Sequence, residues 1–230
     1  KNMLLENTSL DQVFRNVRSD VLQRTNKQQR PVEASQLTGT AFYLVQTDYS
    51  IKYDEVWSLY LKEDYNTALE KIGGLLALED NNSRAYKLRG DIYAALKENK
   101  QAEDDYTKAI EIDSMNTSAY YNRGRLFENI GQEEKAIDDF TKVLEIDSAY
   151  TGAYNFRGYI YRSQGKYDLA LNDYNKAIKI NPDEPLYYSN RGDLYVALKN
   201  YKHAEDDYTK AIELDSKNPR WYNDRAAFYW

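Results

Sequence analysis

The stretch SRAYKLRGDIYAALKENKQAEDDYTKAIEIDSMN, residues 83–116, decides how the chain is read, because its pattern returns three more times. Gly90, Gly124, Gly158 and Gly192 stand 34 residues apart, and Ala102, Ala136, Ala170 and Ala204 keep the same step. So do Tyr106, Phe140, Tyr174 and Tyr208. The step also relates Tyr86, Tyr120, Tyr154, Tyr188 and Tyr222, and Arg89, Arg123, Arg157, Arg191 and Arg225. Unrelated residue types held in one register over four to five periods define an internal repeat. The repeat also accounts for the composition, since 23 of the 230 residues are tyrosine.

Each period reads as two helices. Tyr86, Gly90 and Tyr93 fall at i, i+4 and i+7, and Ala102, Tyr106, Ala109 and Asp113 do the same, so each segment carries one helical stripe. Glu98-Asn99-Lys100, Ile130-Gly131-Gln132 and Gln164-Gly165-Lys166 separate the members of a pair. Asp113-Ser114, Asp147-Ser148, Asn181-Pro182 and Asp215-Ser216 close the periods. A glycine inside a helix costs about 1 kcal/mol relative to alanine. Its return at Gly90, Gly124, Gly158 and Gly192 predicts a close approach of the first helix to the second, where the repeated alanine faces it, with the aromatics filling the space around the contact. Two further series share the period. Arg89, Arg123, Arg157 and Arg191 follow the motif tyrosine by three residues, and Asp105, Asp139, Asp173 and Asp207 precede the second-helix aromatic by one. These predict ion pairs within or between repeats, shielded by tyrosine rings.

The pattern Tyr-x-x-Arg-Gly-x-x-Tyr followed by Ala-x-x-x-Tyr-x-x-Ala-Ile resembles tetratricopeptide (TPR) repeats. The resemblance implies an all-α fold, a right-handed α-solenoid of helix-turn-helix repeats, with repeats at 83–116, 117–150, 151–184 and 185–218. A divergent repeat is expected at 49–82, where Ala68 keeps its place, Val56 replaces the glycine, and Gly73-Gly74 puts the continuity of the second helix in question. Residues 219–230 read as the first helix of a truncated repeat or a cap.

Residues 1–48 do not follow the period. Asp11 to Arg24 reads as an amphipathic helix with Ser9 as N-cap, followed by a polar segment and a strand-like run from Ala41 to Val45. The order of Leu10, Val13, Phe14, Val17, Arg18 and Val21, then Thr25, Gln28 and Pro31, then Ser35, Leu37, Thr38, Gly39, Phe42 and Tyr43 resembles the C-terminal helix and strand of a caspase-like (peptidase C14) domain. A short α/β remnant of that domain is therefore expected before the repeats. The catalytic histidine and cysteine of that family lie upstream of this motif. Lys1 in the place of a methionine and the aromatic end at Phe228-Tyr229-Trp230 lead to the further expectation of a piece of a longer protein.

Composition removes whole classes of chemistry. With no cysteine the chain holds no disulfide, no thiolate metal site and no cysteine nucleophile, and its single histidine excludes any site that needs two. A formal charge of -6, from 31 basic and 37 acidic residues with interspersed signs, argues against a nucleic-acid partner. No apolar run approaches the ~20 residues of a membrane span. A cytoplasmic chain with no cofactor and no membrane partner is expected. His203 stands where sister repeats carry Gln101, Lys135 and Leu169, which marks an exposed position with no chemical demand. In Asp104-Asp105, Asp138-Asp139 and Asp206-Asp207, adjacent helical carboxylates diverge, so a structural or solvated role is expected of them rather than a metal.

The resemblance places a concave groove at the second, fifth, sixth, ninth and twelfth positions of each repeat. The residues there vary while the packing residues recur: Arg84, Lys87, Leu88, Asp91 and Ala94; Ser118, Tyr121, Asn122, Arg125 and Glu128; Gly152, Asn155, Phe156, Tyr159 and Arg162; Leu186, Ser189, Asn190, Asp193 and Val196. Such variation fits a surface that reads a ligand, and equally an unconstrained one. Chaperone-binding members hold a C-terminal carboxylate in a clamp of lysine, asparagine and arginine. Lys87 and Asn122 fit that clamp, but Asp91, Gly152 and Phe156 do not. The expected function is a non-catalytic scaffold that binds an internal peptide segment of a protein partner through Tyr121, Phe156 and Tyr159, with Arg125, Arg162 and the asparagines as hydrogen-bond donors. On this reading it is the regulatory or recruiting arm of a caspase-like protease. The alternatives are a fragment of an active cysteine peptidase and a self-associating spacer that uses the end around Trp221, Tyr222 and Trp230.

Overall fold

A computed structural model of the chain describes residues 53–228, and side-chain surroundings for 53–226. The expected caspase-like remnant at 1–48 lies outside the described residues. The described chain is helical throughout, with no strand among the described residues. It divides at Leu75 into two compact units.

In the first unit α1 (53–61) and α2 (Tyr65–Leu78) are joined by a turn in which the Glu63 N–H donates to the Tyr60 carbonyl and the Asp64 N–H to the Leu59 carbonyl. Val56, Ala68, Ile72 and Leu75 are buried, and Lys71 pairs with Glu55 at 2.9 Å. The glycine pair does not break α2, which runs unbroken through Gly73 and Gly74. Burial of Ile72 and Leu75 around the pair outweighs a propensity cost of about 1 kcal/mol per glycine.

The second unit contains four helical hairpins and a final helix. The hairpins are α3 (Ser83–Ala95) with α4 (Asn99–Ile112), α5 (Thr117–Asn129) with α6 (Glu133–Ile146), α7 (Thr151–Ser163) with α8 (Tyr167–Ile180), and α9 (Pro185–Ala197) with α10 (Tyr201–Leu214); α11 is Pro219–Phe228. Starts and stops follow from local chemistry. Asn82 and Asn116 cap α3 and α5 by accepting from the Ala85 and Ala119 N–H groups, and α9 begins on Pro185, whose missing N–H would have had no partner there. Each hairpin bend needs one left-handed residue. Gly131 and Gly165 supply it at φ 75° and 71°, while Lys97 and Lys199 are held there at 62° and 57°. Asp113 and Asp147 cross to the next hairpin by accepting from Met115 and Ala149 N–H groups two residues on.

Between the helices of a hairpin the sequence expectation needs one correction. The repeated glycine faces the second-helix aromatic rather than the alanine. A Cβ on Gly90 would stand 2.7 Å from the Tyr106 ring, and on Gly124, Gly158 and Gly192 it would stand 3.0, 3.0 and 2.9 Å from Phe140, Tyr174 and Tyr208. The ring is the larger body and lies across the bare backbone, leaving Ala102, Ala136, Ala170 and Ala204 buried beside it.

The arginine and aspartate series meet as expected. Arg89 clasps Asp105 through two bonds of 2.7 Å, and Arg123 clasps Asp139 at 2.8 Å twice. Arg157 holds Asp173 at 2.8 and 2.9 Å, and Arg191 holds Asp207 at 2.8 and 2.7 Å. Each guanidinium also lies over the ring of Tyr86, Tyr120, Tyr154 or Tyr188. From the second hairpin onward the same arginine reaches back one repeat: Arg123 to Thr107 Oγ1, Arg157 to Thr141 Oγ1, and Arg191 to Asn175 Oδ1. One side chain thus closes its own hairpin and ties it to the one before. The forked geometry suits arginine and not lysine.

From α3 to α11 each helix packs on its sequence neighbours within this unit. In addition the first helices touch one another in turn, α3 with α5, α5 with α7, α7 with α9 and α9 with α11, while no pair of second helices among the described residues shares a comparable contact. The first helices therefore line the inner, concave side of this unit.

Candidate functional site

The concave face is built from one side of α3, α5, α7 and α9. The ninth position of each repeat, next to the packing glycine, carries Asp91, Arg125, Tyr159 and Asp193 in turn. The second-helix aromatic crosses that glycine, so its para position ends beside this residue. The two must therefore match.

At the first hairpin they do. Asp91 is buried and accepts from the Tyr106 hydroxyl at 2.9 Å, from Asn122 Nδ2 at 2.7 Å and from Lys87 Nζ at 2.7 Å. Lys87 and Asn122, the two residues that fit a carboxylate clamp, are thus both engaged on this protein carboxylate. Leu88 is fully buried and belongs to the core rather than to the groove surface. Arg84 is exposed.

At the second hairpin the ninth residue is Arg125, which is exposed, and the crossing aromatic is Phe140, which has no hydroxyl to satisfy. Arg125 rests over Phe156 at 5.3 Å and over Tyr121 at 6.0 Å from the ring centres. Tyr121 is wedged against Tyr150, Phe140 and Phe156, with ring centroids 4.9, 5.8 and 5.9 Å away. Burial pushes its hydroxyl up to about 12, against the opposing charge of Arg125. Gly152 leaves the room for this ring, since a Cβ there would stand 3.0 Å from the Tyr121 oxygen.

At the third hairpin the match fails. Tyr174 crosses Gly158 but meets Tyr159 in the place of an aspartate, and its buried hydroxyl has no hydrogen-bond partner among the described residues. Leaving a buried hydroxyl unpaired costs about 1–3 kcal/mol. Burial holds Tyr174 far above the ordinary tyrosine range, with nearby Arg162 acting in the opposite direction. Tyr159 is 40% exposed, and Arg162 lies over its ring at 5.6 Å.

At the fourth hairpin the match returns: the Tyr208 hydroxyl donates to Asp193 Oδ1 at 2.8 Å, and Arg162 reaches Asp193 Oδ2 at 3.1 Å. Asn155 and Asn190 are buried and joined to each other by a 2.8 Å bond, and buried Ser189 donates to Asp224 at 2.8 Å. These three groove candidates serve the stack.

The other candidates lie apart from this face. His203 is exposed and bonded to Asn200 at 2.8 Å. The paired aspartates diverge, with Asp105 buried on Arg89 and Asp104 out on Lys100. Among the described residues no three acidic, histidine or cysteine side chains gather where a metal could be held, and no helix is long and apolar enough to cross a membrane.

Sequence reasoning missed Tyr106, Tyr174 and Tyr208, which reach the face from the second helices. A signal exists for two of them: the crossing residue is tyrosine where the ninth position is aspartate, at Tyr106 and Tyr208, and phenylalanine where it is arginine, whereas Tyr174 opposite Tyr159 breaks the rule.

Comparison with known proteins agrees with this architecture. A TPR repeat model matches residues 90–131 and 158–199, and a tetratricopeptide repeat model matches 117–150 and 185–218, together more than half the chain. No curated protein matches the chain. Among solved structures, MamA is 26% identical with a TM-score of 0.64, over 70% of this chain and 94% of that one. PilF of Pseudomonas aeruginosa is 17% identical with a TM-score of 0.70, over 80% of this chain and 89% of that one. YrrB, a TPR protein with an unusual peptide-binding site, is 20% identical with a TM-score of 0.63, over 84% and 100%. At their identities the last two show the fold alone. The chain belongs to the tetratricopeptide repeat family.

Proposed function

We propose that this chain is a non-catalytic scaffold that holds an extended internal segment of a partner protein along the concave face of α3, α5, α7 and α9. One observation carries the reading: the clamps behind the groove repeat almost identically, whereas the ninth positions differ and leave Arg125 exposed over the Tyr121 and Phe156 rings and Tyr159 exposed beside Arg162. Exposed aromatics beside a cation form a surface suited to an extended peptide, and they contribute little to the core. The peptide-binding site of YrrB, on the same fold, supports this use of the architecture. Engagement of Lys87 and Asn122 on Asp91 supports an internal segment over a C-terminal tail.

The test is a peptide-binding panel read by fluorescence anisotropy against the full chain. Tyr159→Ala weakens binding about tenfold, the loss of one aromatic anchor, and leaves the melting temperature nearly unchanged. If instead the panel is won by peptides with a free acidic C-terminus, and Lys87→Ala removes them, the clamp reading replaces this one.

The resemblance of residues 1–48 supports a narrower form of the proposal, in which the repeats are the regulatory or recruiting arm of a caspase-like peptidase in the cytoplasm. A reading frame upstream of Lys1 that encodes a histidine and cysteine in that context bears it out; one without them removes it.

A further inference from the structure

Hydrogen bonding along the concave face is unevenly distributed. Most of its acceptors have donors already. Asp91 receives three, Asp193 receives Tyr208 and Arg162, Asp224 receives Ser189, and the Asn155 carbonyl receives Asn190. The donors without acceptors gather at the centre. Arg125 makes contact with two rings, and among the described residues it forms no ion pair; Glu128, one turn along α5, does not pair with it. Arg162 spends one guanidinium nitrogen on Asp193. The Tyr174 hydroxyl is buried, with Arg162, Asp193 and Tyr159 as its charged and polar neighbours, and it donates to nothing among the described residues.

A phenylalanine at 174 would spare the chain its unpaired hydroxyl, as Phe140 does one repeat earlier. Tyr159, 40% exposed, is one of the side chains near that hydroxyl. Surplus donors among mostly satisfied acceptors describe a site that awaits acceptors from outside, and a guanidinium with no ion pair asks for a charged one.

Resting on the groove reading above, we infer that the centre of the groove selects a carboxylate: an aspartate or glutamate side chain within the bound segment lies on Arg125, and a backbone carbonyl of the same segment takes the Tyr174 hydroxyl bond. The same chemistry could come from a chain terminus, so the experiment separates the two sources.

The probe is a library of extended peptides, acetylated and amidated at the ends, with glutamate, glutamine, lysine or leucine fixed at the centre and the flanks randomised. A matched set carries a free C-terminal carboxylate instead. Glutamate is expected to bind about tenfold more tightly than glutamine at low salt, with the ratio shrinking as salt is added. Arg125→Ala removes the preference and leaves residual binding. Tyr174→Phe weakens every member by the same factor, because a backbone carbonyl is common to all, and it leaves the glutamate preference intact. Equal binding of glutamate and glutamine, a preference that survives Arg125→Ala, or affinities untouched by Tyr174→Phe would each overturn the inference while leaving the groove in place. Binding confined to the free-carboxylate set would replace an internal acid by a terminus. If no member of either set binds, the groove reading itself fails and this inference falls with it.

Discussion

The back and the front of the same four first helices obey different rules. On the back, each arginine meets its aspartate through two bonds of 2.7–2.9 Å, four times over. On the front, two residues further along, the series is aspartate, arginine, tyrosine, aspartate. The difference teaches which residues are committed to the stack. The arginine is enclosed by its own hairpin, by a tyrosine ring and, from the second hairpin onward, by the preceding repeat, so any other side chain leaves a buried charge or a void. The ninth residue meets the tip of the crossing aromatic and a few neighbours on the same face, Asp91 with Lys87 and Asn122, Arg125 with Phe156, and Asp193 with Arg162, so a change there is tolerated when those partners change too.

The sharpest way to break the comparison is to remove one buried carboxylate. Asp173 is 1% exposed, and Asp173→Ala strands Arg157 over its rings. A loss of roughly 3–5 kcal/mol in urea unfolding is expected, since one partner of a buried pair is removed and the other is left charged. Against it, Tyr159→Ala on the front of the same helix pair is expected to stay within about 0.5 kcal/mol of the parent. The same aspartate change at Asp105 is expected to cost less, because the Arg89 side chain is 25% exposed against 14% for Arg157 and water can solvate it once stranded.

The glycines give a smaller contrast. Gly90→Ala would set a Cβ 2.7 Å from the Tyr106 ring, and the overpacking cost of about 1–3 kcal/mol exceeds the helix propensity gained. Gly73→Ala meets nothing within 4 Å and is expected to stabilise by up to about 1 kcal/mol. Paired thermal melts check the opposite signs.

The smallest effect is on pH. Burial raises Tyr121 to about 12 and lifts Tyr174 and Tyr208 further. A tyrosine whose folded value is raised stabilises the fold fully below its unfolded value of about 10 and loses that contribution as pH rises through the folded one. Stability is expected to hold from pH 7 to 9 and to fall above about 10. Ultraviolet titration should show Tyr121 ionising near 12, and Tyr121→Phe should remove that step.

The stack was largely legible in the sequence because it is periodic. Gly90 and Asp105 each have three further copies in register and Arg89 has four, and a contact that recurs announces itself by its spacing. What the period could not show was the partner across the gap. Glycine and alanine share a period with the aromatic, so spacing alone could not say that Gly90 lies under Tyr106 and not beside Ala102. Gly73-Gly74 has no copies, and only the burial of its neighbours shows why α2 continues. The groove was half legible. Arg125 and Tyr159, at positions the family pattern assigns to the proposed groove, are exposed, and Phe156 lies under Arg125. Asn155, Asn190 and Ser189 fill the same positions but turn into the stack, because each found a polar partner one repeat away that no single repeat encodes.

If the middle of the groove gives up stability to keep donors free for a partner, Tyr159→Asp reveals it most directly. This change supplies Tyr174 with the acceptor that Tyr106 and Tyr208 already have in Asp91 and Asp193. The expected result is a higher melting temperature together with loss of the glutamate-centred, end-blocked peptides. A melting temperature unchanged or lowered, with peptide binding intact, would contradict it.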